Sequence, residues 1–274
     1  MKLSMMSYTV GRQAEHYNLQ RMLDLTEELK LEGIDFVTLH NEDARTLRKM
    51  CDDRGIKIIC HTFIADFNHP APEQRRSAMD TFKQGLENTL LLGARIIMMP
   101  TLVKADRTSA ESRKNWTEAL KEAVTLGHGQ GVEVTVENFP GILSPFVTSS
   151  HFLEAQAEVP QLKLTFDSGN AGTGENPAQS FTNTARHVVH AHFKDWDIQD
   201  QPAEGFRQML DGKYYRPALI GEGNVPHKEV LTAMKKAGYD GCINIEYEGN
   251  KYDPYEGIRR AAQYLRGIAA EIGY

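Results

Sequence analysis

The 274-residue chain carries 31 Lys plus Arg against 37 Asp plus Glu, a net charge of −6, and 41% hydrophobic side chains. That excess of acid, without any block of five or six like charges, excludes a general affinity for phosphate backbones, because nucleic-acid binders present clustered basic surface. The most apolar stretch, Leu90 to Pro100, falls short of the roughly 20 residues a membrane span needs and is interrupted by Gly93 and Arg95, so no spanning segment is expected. The opening MKLSMMSYTVGRQAEH lacks the apolar run of a secretory signal, and a cytoplasmic location is the expectation that follows. Cys51, Cys60 and Cys242 are odd in number and far apart, which fits reduced thiols and neither a disulfide framework nor a zinc ribbon.

Along the chain, short β-branched runs alternate with longer segments whose apolar residues recur at three and four. Lys2 to Met6 is the first strand, and Leu19, Met22, Leu23, Thr26 and Leu29 share one face of the helix after it. Ile34 to Leu39 is the second strand, followed by a charged helix through Leu47 and Met50 that stops at Gly55, a residue suited to a helix end. The third strand is Ile56 to Phe63, and its helix, from about Pro72 to Leu92, keeps Met79, Phe82, Leu86 and Leu90 in register. Arg95 to Met99 is the fourth strand, with Trp116, Leu120, Ala123 and Gly127 on one side of the next helix. Val132 to Glu137, Leu162 to Phe166 and Val188 to Phe193 are strands five to seven, separated by short helices around Phe152 and Ala178. Cys242 to Tyr247 is the eighth strand, and the last helix sets Ile258, Ala262, Leu265, Ala269 and Ile272 inward. Eight strands alternating with helices, with no low-complexity linker, predict a single α/β domain over residues 1–274, a (β/α)₈ TIM barrel. An open doubly wound sheet would carry a glycine fingerprint after strand one, where this chain has YTVGRQ.

In a barrel of this kind the chemistry sits at the C-terminal strand ends. Strand five ends in Glu137 and Asn138, strand six in Asp167, strand seven carries His190 and His192 followed by Lys194 and Asp195, and strand eight carries Glu246 and Glu248. Each has an ordinary alternative: Asp167 as the N-cap of the helix that follows, His192 as a satisfied core histidine. Together they present Glu, Asp, His and Glu on consecutive strands. Carboxylates in hydrophobic strands are costly to bury unless paired or metal-bound, and converging carboxylates repel without a cation between them. The candidate metal ligands are therefore Glu137, Asp167, His192 and Glu246; Glu248 shares the strand parity of Glu246 but lies farther along the run.

The segments VTVENFPG, LTFDSGNAG, HAHFKDWD and GEGNVPHKEVLTAMKKAGYDGCINIEYEG, with the barrel pattern over essentially the whole chain, resemble the xylose isomerase-like superfamily of sugar isomerases and epimerases. Its members include ketose 3-epimerases, hydroxypyruvate isomerase, inosose isomerases and inosose dehydratase. The resemblance implies one divalent metal ion, Mn²⁺ in the first place with Mg²⁺ or Co²⁺ as alternatives, on Glu137, Asp167, His192 and Glu246, and it implies that Glu137 and Glu246 are also the catalytic acid and base. The His and Arg that ketose 3-epimerases carry after the strand-six Asp and the strand-seven His are replaced by Asn170 and Ile198, whereas HFKD and IEYEGNKYDP look more like the dehydratase and hydroxypyruvate isomerase branches.

The expected activity is an isomerase or epimerase that moves a proton through an enediolate of a keto-sugar or related polyol. The alternative is a lyase or dehydratase that eliminates from a keto-inositol or 3-keto-glycoside after the same first step. His61, Lys194 and Glu222 are candidates for holding the substrate, a small carbohydrate. The excursion between Trp196 and Glu222, roughly 25 to 30 residues, is too long for an ordinary loop and reads as a lid or specificity element; its Arg207, Lys213 and Arg216 keep a phosphorylated substrate open. A DNA-repair endonuclease of related fold would need several zinc ions, more strand-end histidines than His40, His61, His190 and His192, and a basic groove. No nucleic acid and no membrane are expected as partners, and a homo-oligomer is compatible with the fold class.

Overall fold

The structure is a computed structural model that describes residues 1–69 and 71–274. In chain order its elements are β1 (Lys2–Met6), α1 (Ser7–Gly11), α2 (Leu19–Glu28), β2 (Gly33–Val37), α3 (Ala44–Asp52), β3 (Lys57–Thr62), α4 (Pro72–Leu92), β4 (Ile96–Met99), α5 (Ser109–Gly129) and β5 (Glu133–Glu137). There follow α6 (Ser149–Glu158), β6 (Lys163–Asp167), α7 (Ser168–Ala171), α8 (Pro177–Thr184), β7 (Val188–Phe193), β8 (Asp195–Gln199), β9 (Arg207–Gln208), β10 (Tyr214–Ala218), α9 (His227–Lys236), β11 (Cys242–Ile245) and α10 (Pro254–Ile272). Eight of the strands close into a parallel barrel in the order β1-β11-β7-β6-β5-β4-β3-β2, the (β/α)₈ architecture expected from the alternation.

Local chemistry sets the element boundaries. Helix α5 starts at a capping box in which Thr108 and Glu111 each bond the other's backbone N–H, and α2, α3 and α8 start at the capping side chains of Asn18, Asp43 and Asn176. Strand β2 stops at Val37, two residues short of the expected Leu39, because Thr38, His40 and Asn41 all take left-handed backbone angles and turn the chain away. The segment YTVGRQ lies mostly in the single-turn helix α1. β11 is paired as a strand only to Ile245, yet the Glu246 N–H still donates to the Phe193 carbonyl at 2.9 Å, so the chain keeps its course to the mouth.

Strand alternation divides two environments. Val134, Val136, Leu164, Phe166, Ala191, Phe193, Ile243 and Ile245 belong to one continuous apolar core shared with the helices, including Phe82, Trp116, Phe152 and Phe181. Their neighbours Thr135, Glu137, Thr165, Asp167, His190, His192, Asn244 and Glu246 are equally buried but polar. Asp35 of β2 touches His190 of β7, and these strands are not neighbours in the sheet, so the contact crosses the barrel lumen. The apolar layer between sheet and helices therefore provides most of the burial energy, and the lumen, which commonly holds branched aliphatic side chains in this fold, carries many hydrogen-bonding groups beside Met6, Cys60 and Met98.

The excursion after β7 is ordered. β8, β10 and β9 form an antiparallel sheet over a small cluster of Trp196, Met209, Tyr215 and Val225. Asp195 fastens its return: the carboxylate accepts the backbone N–H of Gly221, Gly223 and Val225 at 2.9–3.1 Å and lies 3.3 Å from His227 Nε2. A Cβ at Gly223 would come within 2.3 Å of the Asp195 carboxylate, so that position admits only glycine.

The division of layers has a measurable consequence. Phe166, fully buried against Phe181 with ring centroids 5.3 Å apart, should cost about 3–5 kcal/mol when changed to Ala, read as a lower urea midpoint. A loss below about 1 kcal/mol would mean that the apolar layer is not the main source of stability.

Candidate active site

Glu137 ends β5, Asp167 ends β6, His192 lies in β7 and Glu246 follows β11, and their ligand-type atoms all lie within 4.8 Å of one another. His192 Nδ1 is 2.6 Å from Glu137 Oε1 and 3.9 Å from Glu246 Oε2. Asp167 caps the helix that follows it and also contributes an oxygen to the convergent group. Its Oδ1 accepts the Asn170 N–H at 2.6 Å as the cap of α7, while Oδ2 is buried without a hydrogen-bond partner. Asn138 ties the two strand ends together, its side chain donating to the Asp167 carbonyl at 2.7 Å and accepting the Asp167 N–H at 2.8 Å.

Burial and crowding disturb every charge here. Burial first, then Glu137, pushes the Asp167 carboxyl up to about 7 against the pull of Lys194. Burial, then Glu248, Glu137 and Asp167, push Glu246 up to about 8, again opposed by Lys194. Burial alone would lower His192, but the carboxylate of Asp35 beside it, the hydrogen bond with Glu137 and the charges of Glu137 and Glu246 outweigh it and hold the imidazolium up to about 10. Lys194 is likewise held well above the usual lysine range by Glu246, Glu248, Asp167 and Glu137 despite its burial. Its ammonium lies 3.0 Å from Glu246, 3.6 Å from Glu248 and 3.8 Å from Asp167. Gly169 makes room for the lysine stem, since a Cβ there would lie 2.6 Å from Lys194 Cγ.

These residues suit a divalent cation. Two buried carboxylate oxygens, Asp167 Oδ2 and Glu246 Oε2, lack hydrogen-bond partners, and both belong to the convergent group. Oxygen and imidazole donors in this ratio match the preferences of Mn²⁺, Mg²⁺, Co²⁺ and Zn²⁺. Glu248, the competing candidate, stands outside the group toward the mouth. There a cleft of about 430 Å³ is lined by Tyr8, Arg12, Phe139, Lys194, Arg207 and Glu248 among others.

The remaining candidates fall elsewhere. His61 points outward from β3, with Nδ1 2.8 Å from Thr89 Oγ1 on α4, because Cys60 and Thr62 occupy the inward positions of that strand. It does not line the pocket, and this corrects the expectation from sequence. Glu222 accepts from Lys251 Nζ at 2.6 Å and Tyr252 Oη at 2.7 Å and borders a second cleft of about 600 Å³, which meets the first at Glu248 and Pro217. Arg216 and Lys213 pair with Asp197 and Asp200, whereas Arg207 faces the mouth. His40 stacks on Tyr17 and bonds Ser7. Asp35, Tyr8 and Arg12 were passed over in the sequence. An aspartate between Ile34 and Phe36 violates strand patterning as Glu137 does and could have been found on that ground, but the short helix of Tyr8 and Arg12 gives no such signal.

A closed parallel barrel with three carboxylates and an imidazole gathered at its C-terminal mouth defines an α/β-barrel with a candidate divalent-metal centre. The sequence profile of the xylose isomerase-like TIM barrel family matches residues 22–268, and the chain belongs to that family. An uncharacterized protein of Methanocaldococcus jannaschii is 26% identical over 258 residues, 89% of this chain and 82% of its own length. An inosose dehydratase of Lacticaseibacillus casei is 23% identical over 261 residues, 87% of each chain. Among solved structures, an IOLI protein with a bound zinc atom superposes with a TM-score of 0.82 at 19% identity, covering 99% of both chains. The 3-keto-D-glucoside 4-epimerase YcjR of E. coli gives 0.78 at 15% identity, covering 97% of this chain and 99% of its own. Among the described residues no helix is long and apolar enough to cross a membrane.

The burial of His61 is testable through stability. Burial lowers its imidazole from 6.5 to about 4, so between these values the unfolded chain binds a proton that the folded chain refuses. Stability contributed by this group is therefore lost as pH falls from 6.5 toward 4, at up to about 1.4 kcal/mol per pH unit. Urea unfolding at several pH values should show this component in the wild type and not in His61→Phe; an unchanged slope in the variant would place the pH dependence elsewhere.

Proposed function

We propose that the chain is a divalent-metal-dependent isomerase or epimerase acting on a keto-sugar or related polyol by proton transfer through an enediolate. The observation that carries this reading is the group Glu137, Asp167, His192 and Glu246, whose unpartnered carboxylate oxygens lie below a cleft lined by hydrogen-bonding side chains. A bound divalent ion, Mn²⁺ by preference, would supply Lewis-acid polarisation of a substrate carbonyl and acidify the neighbouring C–H. Glu137 and Glu246 approach the centre from β5 and β11, two sides of the lumen, so one carboxylate takes the proton and the other returns it. Lys194, buried beside Glu246, donates to the substrate oxygen on which negative charge develops. Glu222, with Lys251 and Tyr252, binds the distal part of the substrate in the second cleft. The substrate is a small carbohydrate; neither nucleic acid nor membrane enters the reading.

Elimination shares the first proton transfer, and two observations favour it as the second reading. The inosose dehydratase likeness runs along 87% of both chains, and Asn170, with neither side-chain atom bonded in its buried place, replaces the histidine of ketose 3-epimerases.

Solvent deuterium exchange over a panel of ketoses, keto-inositols and 3-keto-glycosides with Mn²⁺ tests both. Glu137→Gln and Glu246→Gln should each lower the exchange rate by about 10²–10⁴ with unchanged circular dichroism, while Glu222→Gln should raise KM and leave kcat nearly intact. Product analysis then separates isomer from elimination product. Full exchange activity in either Gln variant, or in chelator-treated protein, contradicts the proposal.

A further inference from the structure

Resting on the metal reading above, we infer that Asp35 is a positioning residue that fixes which nitrogen of His192 faces the cation. The aspartate is fully buried in β2, and its neighbours Ile34 and Phe36 belong to the apolar core, which leaves its carboxylate in the lumen. His190 Nε2 lies 2.5 Å from Asp35 Oδ2, and the same oxygen is 3.4 Å from His192 Nε2. The two imidazoles stand perpendicular, centroids 5.1 Å apart, with one carboxylate between them.

The two nitrogens of His192 thus have separate surroundings. Nδ1 faces Glu137 and Glu246, and Nε2 faces Asp35 and makes no hydrogen bond that meets ordinary geometry. A neutral imidazole can give Nδ1 a lone pair only if its proton resides on Nε2, and a proton there in a buried lumen needs an acceptor. Asp35 Oδ2 is that acceptor. At 3.4 Å the contact is long for an N–H···O bond, so its effect is electrostatic bias together with orientation, and the short bond to His190 keeps the carboxylate in place. A carboxylate behind a metal-binding histidine selects its tautomer and raises its basicity, and losing one typically costs 10–100-fold in metal affinity.

Asp35 also stands with Cys60 and His190 in a group of metal-ligating types, which gives a competing assignment as a ligand of a second ion. Zn²⁺ titration of the chelator-stripped full chain against a competing chelator separates the two. The expected result is one ion per wild-type chain and about 10–100-fold weaker binding in Asp35→Asn, with circular dichroism retained. Two ions per wild-type chain, or unchanged affinity in a folded Asp35→Asn, overturns the positioning role. Nitrogen-15 NMR of the zinc-loaded wild type needs no variant to fold: His192 should be protonated at Nε2 and ligated through Nδ1, and the reverse assignment overturns the inference. A wild-type chain that binds no ion instead refutes the underlying site reading.

Discussion

Three carboxylates brought within 4.8 Å of one another and of an imidazole inside a closed barrel form the constraint on which the rest of this molecule depends. Like charges at such separations in a poorly polarisable interior cost several kcal/mol unless cations compensate them. His192 and Lys194 supply part of the compensation from the protein itself. The upward displacement of Asp167 and Glu246 and their unpartnered oxygens indicate that this part falls short of the whole. A site that is electrostatically incomplete without a cation is suited to bind one.

Layering makes the constraint tolerable. The apolar residues of each strand pack outward against the helices, so the lumen need not contribute hydrophobic burial and can hold Thr135, Thr165, Asn244 and the Asp35–His190 pair. Below the charged layer the Thr135 hydroxyl donates to the Ile97 carbonyl at 2.9 Å and accepts from the Thr165 hydroxyl at 2.7 Å. Asn138, Asp167 and Gly169 fix the strand ends above it, and Asp195 pins the β8–β10 extension that completes the mouth.

Strands and helices were legible because most strands of the barrel read as short apolar, often β-branched runs and the longer helices keep their three-and-four spacing. The polar strand-end residues were legible for the same reason, since Glu137 and Glu246 interrupt patterns that otherwise demand apolar side chains. His61 was misread because its strand parity cannot be judged without knowing that Cys60 and Thr62 take the inward positions. Asp35 was overlooked although it breaks its strand as Glu137 does; it lies deeper than the C-terminal strand ends, and its partner His190 is 155 residues away in sequence. The antiparallel extension could be anticipated only as an excursion of unusual length, because β9 spans just Arg207–Gln208 and leaves no periodicity to read.

The central claim is that Glu137, Asp167, His192 and Glu246 together hold one divalent cation. Anomalous diffraction at the manganese edge, from crystals of the full chain grown with Mn²⁺, tests it most directly. The expected result is a single strong peak within about 2.0–2.4 Å of an oxygen of each carboxylate and of His192 Nδ1. No peak there, with the Lys194 ammonium still seated between Glu246 and Asp167, would contradict it.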